Sequence, residues 1–126
     1  MNKGSDLDLI PDELASISLS DREIVLPYKD ALKAIEHLNA NGHVVFAWEG
    51  WLRYANGTRG HSAKHQGMAE VSRDPNESPR TFSARATRAV LTTMESSQAE
   101  WTRNPERTDA ALYFCLSVER GANINP

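Results

Sequence analysis

The sequence contains a single cysteine, Cys115, and no long apolar run. One cysteine cannot form an internal disulfide, so an apolar core rather than a covalent cross-link must hold the fold together. No stretch approaches the roughly 20 apolar residues needed to cross a bilayer, so we expect no membrane span. The N-terminal residues also lack the apolar segment of a secretory signal peptide. We therefore expect a cytoplasmic protein.

An excess of positive charge is also missing. The chain has 14 Lys and Arg against 17 Asp and Glu, for a net charge of −3. A nucleic-acid-binding domain normally shows a basic patch or stripe, so we expect no nucleic-acid partner. The length of 126 residues fits one domain. We predict a single domain over residues 1–126, with an N-terminal arm at 1–22, laid over the domain or partly disordered, and a tail at 121–126.

Two segments have the periodicity of amphipathic helices. Apolar residues recur every three or four positions over residues 28–41 and again over 78–102. Asn41-Gly42 can end the first helix, because glycine tolerates the left-handed conformation of a C-terminal cap. Ser78-Pro79 can begin the second, with the serine as N-cap and the proline in the first turn. Two main helices are therefore expected.

Short runs of β-branched and aromatic residues predict the strands. They span residues 23–26, 43–49, 51–54, 68–71 and 110–119. Gly50 interrupts one run, which indicates a bulge or a close backbone approach. Asn56-Gly57 predicts a type I′ hairpin turn, and the polar stretch 60–67 is expected to be a loop. This order predicts an α+β domain, with a small mixed or antiparallel sheet and two main helices packed on one face.

The segment from Trp48 to Tyr54 is the most unusual in the chain, with two tryptophans three positions apart around Gly50. Trp, Tyr and Arg dominate the hot spots of protein interfaces, so the segment suits a contact surface. We expect Trp48 in the core, whereas Trp51 fits either the core or the surface. The predicted partner-binding residues are Glu49, Trp51, Arg53, Tyr54, His61 and His65. A secondary contribution is expected from Asp6, Asp8 and Asp12.

The stretch from His61 to His65 also invites an enzymatic interpretation. The two histidines, with Glu70, resemble part of a metal site, but i,i+4 spacing suits zinc only on a helix and no third ligand is evident. Ser62 lacks the surroundings of a nucleophile elbow. Cys115 lies in an apolar strand and is expected to be a buried thiol. We therefore assign no catalytic residue, no metal ligand and no cofactor.

Scattered residues between positions 30 and 67 carry a family resemblance. They are Asp30-Ala31-Leu32, Leu38, Gly42, Trp48-Glu49-Gly50-Trp51, Asn56-Gly57 and His65-Gln66-Gly67. With these the chain resembles predicted immunity proteins from bacterial polymorphic-toxin and contact-dependent inhibition loci. The resemblance implies a cytoplasmic protein that binds and neutralises a cognate toxin domain, whose encounter an acidic surface would speed if the toxin is basic.

Two other functions remain open from the sequence. One is a small metal-dependent or hydrolytic enzyme that uses the stretch from His61 to His65. The other is a homo-oligomeric structural subunit that buries the tryptophan-rich segment at its own interface. The sequence does not determine the oligomeric state.

Overall fold

The computed structural model of the protein describes residues 5–122. The first four residues of the predicted arm and the last four of the predicted tail lie outside this range. A 3₁₀ turn at Asp6–Leu9 precedes all other elements. The rest are α1 (Asp12–Ala15), β1 (Ile24–Leu26), α2 (Tyr28–Ala40), β2 (Val44–Tyr54), β3 (Arg59–Met68), α3 (Pro79–Arg103) and β4 (Ala110–Glu119).

The four strands form one antiparallel sheet in the order β1-β4-β2-β3. Helices α2 and α3 pack on one of its faces, which confirms the predicted α+β class. The core lies between them: Trp48 is 2% exposed, and its ring lies 4.7 Å from that of Phe114. The Trp48 indole N–H donates to Thr93 Oγ1 on α3 at 2.8 Å. The core placement predicted for Trp48 is confirmed.

Both main helices have the predicted caps. Gly42 follows α2 with a φ of 86°, the left-handed conformation that glycine adopts without steric cost. The Ser78 side chain accepts the Thr81 N–H at the start of α3. Each cap satisfies backbone groups that the helix end leaves without a partner. Local chemistry alone was therefore sufficient to place these boundaries.

The third strand is the main departure from the sequence-based prediction. Residues 60–67, expected to be a loop, form most of β3, and the edge strand expected at 68–71 does not form. Strand β3 is polar because it lies at the edge of the sheet and pairs only with β2. Cross-strand pairing, which no local pattern encodes, makes this stretch a strand.

The β2–β3 turn also differs from the predicted type I′ geometry. That turn needs a positive φ at both central residues, but only Gly57 has one, at 91°. Gly57 N–H donates to the Tyr54 carbonyl at 2.9 Å, and Tyr54 N–H donates to the Thr58 carbonyl at 2.8 Å. These bonds describe a three-residue loop, in which a type I turn is followed by a left-handed glycine.

Two irregularities bend the central strand. Opposite β4, Phe46 is an extra residue on β2, between the pairs Val45–Val118 and Ala47–Ser117. Opposite β3, the pairing moves from Glu49–Gln66 directly to Trp51–His61. The extra residues of this second bulge therefore belong to β3, and Gly50 lies beneath them. The bulge predicted at Gly50 exists, but on the neighbouring strand.

The described part of the N-terminal arm belongs to the domain. Ile10 and Leu14 are buried in the core cluster. Leu19 N–H donates to the Val25 carbonyl, and Ser18 Oγ accepts the Val25 N–H, so this segment covers the outer edge of β1. Within residues 5–122, no helix combines the length and the apolar character required to span a bilayer.

Candidate protein-binding face

The side of the sheet opposite the helices is covered only in part. Around Val25 on β1 and Cys115 on β4 it is closed, because both side chains are buried there. Over β2 and β3 most of the side chains on this side are exposed in the described range, residues 5–122. We call this uncovered region the open face, and it consists of Ala47, Glu49, Trp51, Arg53, Arg59, His61, Gln66, Met68, Ala111, Tyr113 and Ser117.

Trp51 lies at the centre of the open face and is half-buried. Its cross-strand neighbours are His61 on β3 and Tyr113 on β4. The His61 ring meets the indole edge-on, with centroids 5.1 Å apart and an angle of 64° between the planes. The indole nitrogen is buried and has no hydrogen-bond partner. A buried N–H without an acceptor costs free energy, so the hydrogen-bonding capacity of the Trp51 indole is left unsatisfied.

Opposite charges flank this indole along β2. Glu49 and Arg53 both point to the open face, because residues two apart in a strand share a side. Glu49 Oε1 lies 4.0 Å from His61 Nδ1, and both side chains are exposed to solvent. Such an exposed contact contributes little to stability. These charges therefore remain available to a partner.

A shallow concavity of about 450 Å³ adjoins this group on the open face. Ala47 and Met68 form its apolar lining, and Glu49 and Glu70 contribute carboxylates. Met68 is 55% exposed, and Phe46 at the same end of β2 is 43% exposed. Both are large apolar side chains in contact with water. The open face thus combines aromatic, apolar and acidic groups.

The structure brings together four of the six residues predicted to bind a partner. Glu49, Trp51, Arg53 and His61 share the open face, whereas Tyr54 and His65 point toward the helices. Tyr54 packs against the core, with the Arg107 guanidinium 5.3 Å from its ring centre. Their placement on the far side of the sheet follows from strand alternation and from the extra residues in β3.

The remaining candidates lie elsewhere. Asp6 forms an ion pair with Arg120 at 3.3 Å, which links the 3₁₀ turn to the residue that follows β4. Asp8 and Asp12 are exposed in the N-terminal segment.

Phe46 and Met68 were missed as candidates, because their exposure depends on a bulge and on an edge strand that no local pattern predicts. Neither residue type signals a surface position by itself.

A metal site shared by His61 and His65 is incompatible with the geometry. His61 lies on the open face, while His65 is 5% exposed on the opposite side, with its ring 5.8 Å from that of Trp101. Two imidazoles on opposite sides of a sheet cannot bind one ion. Within residues 5–122 no three His, Cys, Asp or Glu side chains converge as metal ligands.

Ser62 has a structural role in the β3 bulge. Its hydroxyl donates to Glu106 Oε1 at 2.7 Å and accepts the backbone N–H groups of Lys64 and His65. Glu106 Oε2 also accepts the Ala63 N–H, and the Ser62 hydroxyl holds the pKa of the Glu106 carboxyl below its usual range. No histidine is hydrogen-bonded to the hydroxyl, so nothing activates it as a nucleophile.

Cys115 is the buried thiol that the sequence predicted. Burial raises the pKa of the thiol, and the nearby Glu23 carboxylate, which accepts its hydrogen bond at 3.3 Å, raises it further. Because the thiolate is the reactive form, a thiol held protonated is a poor nucleophile. The Cys115 thiol is therefore a structural group in this fold rather than an activated nucleophile.

His65 makes the stability of the fold sensitive to pH. Burial lowers the pKa of His65 below 6.5. The carboxylates of Glu106 and Glu100 oppose this effect by raising the pKa, and the Lys64 charge lowers it further. Below pH 6.5 the unfolded chain takes up a proton that the folded chain resists, so acidification favours unfolding. We expect the free energy of unfolding to fall as the pH decreases below about 6.5. Urea titrations between pH 7.5 and 5.5 measure this slope.

A matched pair of variants isolates the effect of this histidine. His65→Gln should reduce the pH dependence, whereas the exposed His61→Gln should retain it. If the free energy of unfolding changes equally with pH in the wild-type protein and in His65→Gln, another group causes the pH dependence.

Comparisons with protein-family models, with curated proteins and with solved structures each found no significant match. A functional assignment therefore depends on the geometry itself. That geometry offers an uncovered face centred on an aromatic side chain, bordered by charges of both signs and by exposed apolar groups. The described residues that could carry catalysis are dispersed or held in structural contacts.

Proposed function

We propose that the protein binds another protein through its open face and neutralises it, as an immunity protein does to a toxin domain. The observation that carries the proposal is the uncovered half of the sheet around Trp51. A helix or second sheet normally covers such an aromatic face in a domain core. Here β2 and β3 leave it in contact with water.

The composition of this face suits a protein partner. Trp51, Arg53 and Tyr113 are residue types enriched in interface hot spots. Exposed Met68 adds an adaptable apolar contact at the margin. The adjoining concavity is shallow, whereas small-molecule sites usually bury most of their ligand. A broad surface with one central aromatic anchor is therefore a better match to a macromolecule.

The carboxylates at the Met68 end of the face favour a basic group of the partner there, whereas Arg53 and Arg59, in register on β2 and β3, favour an acidic group at the other end. Glu49, Glu70 and Glu119 are exposed at one end of the sheet, and no Lys or Arg among residues 5–122 forms an ion pair with them. The net charge of −3 has the same sign. Complementary charge accelerates encounter and sets the orientation of a complex. Arg53, at the other side of Trp51, would pair with an acid of the partner and define the register.

Neutralisation by occlusion requires only a rigid surface. Strand β2 is hydrogen-bonded on both sides, to β4 and β3, and the bulge in β3 is anchored through Glu106. Such a preorganised surface loses little conformational entropy on binding. The protein would therefore block the active surface of a toxin without performing chemistry.

A pull-down from the native host supplies candidate partners, and co-expression with a partner that is toxic on its own tests the proposal. We expect the protein to restore growth and to form a stable complex. In that complex, hydrogen exchange should slow at the amides of β2 and β3 and remain unchanged on the outer surfaces of α2 and α3.

Two results would contradict the proposal. One is the absence of both binding and growth rescue. The other is a stable homo-oligomer that buries the open face in the purified protein, as light scattering and hydrogen exchange would show, because the same surface would then already be occupied by a second copy.

A further inference from the structure

A second concavity lies on the opposite side of the molecule, between the two main helices. Its volume is about 640 Å³, within the range of small-molecule sites. One wall is the C-terminal end of α2, residues 39–42. The other is the beginning of α3, with Arg80, Ser83 and Thr87 spaced so that they share one helix side. We call this region the α2–α3 cleft.

The floor of this cleft has an unsatisfied polar group. Ser83 is only 3% exposed, and its hydroxyl is buried without a hydrogen-bond partner. A serine inside a helix commonly bonds to the carbonyl four residues earlier, but Ser83 does not. Thr87, also buried, donates only a long hydrogen bond of 3.4 Å to Asn39 Oδ1. Buried hydroxyls that lack good partners are uncommon in folded proteins.

The two walls of the cleft differ in electrostatic character. Arg80 is exposed at the rim near the N-terminus of α3, where the helix dipole favours negative charge. No acidic side chain among the described residues forms an ion pair with it. The facing wall is the C-terminal end of α2, where the backbone carbonyls of His37, Leu38 and Asn39 already accept hydrogen bonds within the chain. The polar side chains of this wall are the amides of Asn39 and Asn41. A ligand should therefore carry an anionic group at one end and hydroxyl groups, which can bond to amides, at the other.

We propose that the α2–α3 cleft binds a small hydroxylated oxyanion, a phosphate ester or a carboxylate. Its anionic group pairs with Arg80, and its hydroxyls bond to Ser83 Oγ, after that side chain rotates toward the cleft, and to Thr87 Oγ1, whose hydrogen bond to Asn39 is long. A planar guanidinium recognises both phosphate and carboxylate through paired hydrogen bonds. This site is separate from the open face, so it would add a small-molecule input to a protein that acts by binding.

Thermal denaturation of the full chain with defined probes tests this proposal. The probes are glycerol 3-phosphate and glycerate, with glycerol as the neutral control, all at constant ionic strength. A ligand that binds only the folded state raises the Tm saturably. We expect this for at least one oxyanion and not for glycerol. A response to glycerol 3-phosphate alone identifies the phosphate group, and a response to both identifies the shared oxyanion chemistry.

Variants separate a specific site from general charge effects. Arg80→Gln should weaken probe affinity at least about tenfold, the usual effect of losing a hydrogen bond to a charged group, and Ser83→Ala about fivefold, the effect of losing a neutral one. Ser83→Ala should leave the Tm of the free protein unchanged or raised, because it removes an unsatisfied hydroxyl. Arg88→Gln, an exposed site on the same helix outside the cleft, should retain the wild-type affinity.

Three outcomes would overturn the assignment: no saturable shift with either oxyanion, an equal shift with glycerol, or equal losses in Arg80→Gln and Arg88→Gln. Trp51→Ala should bind the probes as the wild-type protein does. A failure of the cleft proposal is therefore distinguishable from a failure of the open face as a binding surface.

Discussion

Trp51→Ala is expected to weaken the complex with the proposed protein partner at least about 30-fold, or about 2 kcal/mol. The indole is the largest side chain on the open face and lies between His61 and Tyr113. Its unpartnered N–H adds a donor that a partner could satisfy after a small side-chain rotation. Isothermal titration calorimetry measures the loss. Because the indole is only half-buried, the variant should remain folded.

Phe82→Ala is the matched control for this prediction. Phe82 is half-buried on α3, on the helical side of the molecule, with the Arg85 guanidinium 5.9 Å from its ring centre. Removing it deletes an aromatic ring without altering the open face, so the affinity should stay within about twofold of wild type. If Trp51→Ala binds normally while its circular dichroism shows an intact fold, Trp51 is not the anchor of the interface.

Gly50→Ala is expected to lower the free energy of unfolding by about 2–3 kcal/mol. A Cβ at this position would lie 2.8 Å from the His65 carbonyl oxygen and 3.0 Å from the Ser62 Cβ. The nearest atom is backbone, so it cannot move aside as the end of a flexible side chain can. The β3 bulge would have to shift, and with it the position of His61 beside Trp51. Urea denaturation measures the destabilisation.

Gly60→Ala provides the comparison within β3. A Cβ there would lie 3.4 Å from the Tyr54 ring, an ordinary contact, so the change in unfolding free energy should be below about 1 kcal/mol. Equal stability of the two variants would mean that the β3 bulge leaves room for a Cβ atom at Gly50. The close approach in the structure would then not be a constraint on the sequence.

Local signals predicted the helices and the regular strands well. The apolar period of 3.6 residues, the serine N-cap and the glycine after α2 set the helix boundaries to within a residue or two. The strand predicted at 110–119 matches β4, whose alternate residues Leu112, Phe114 and Leu116 are buried. These features depend on neighbours three or four positions away, which a linear sequence displays directly.

Part of the candidate site was also visible in the sequence. The tryptophan-rich segment pointed to β2, and Glu49, Trp51, Arg53 and His61 do share one face. The positions of Tyr54 and His65 were not predictable, because they depend on which side of the sheet each residue faces after a bulge. A shift of one residue in register exchanges the two sides. The hydrogen bond from the Ser62 hydroxyl to Glu106 joins residues 44 positions apart, so no local sequence pattern predicts it.

The amino-acid order by itself determined the two helices, the predicted α+β class and the core position of Trp48, since each depends on the local pattern of apolar residues. Tertiary structure alone decided that residues 59–68 form an edge strand, that Trp51 lies on an uncovered face and that His61 and His65 are separated by the sheet. The physical reason is that strand pairing and bulges are contacts between distant residues. Their energies are set by the partner strand and by the helix beneath it rather than by the identity of the residue itself.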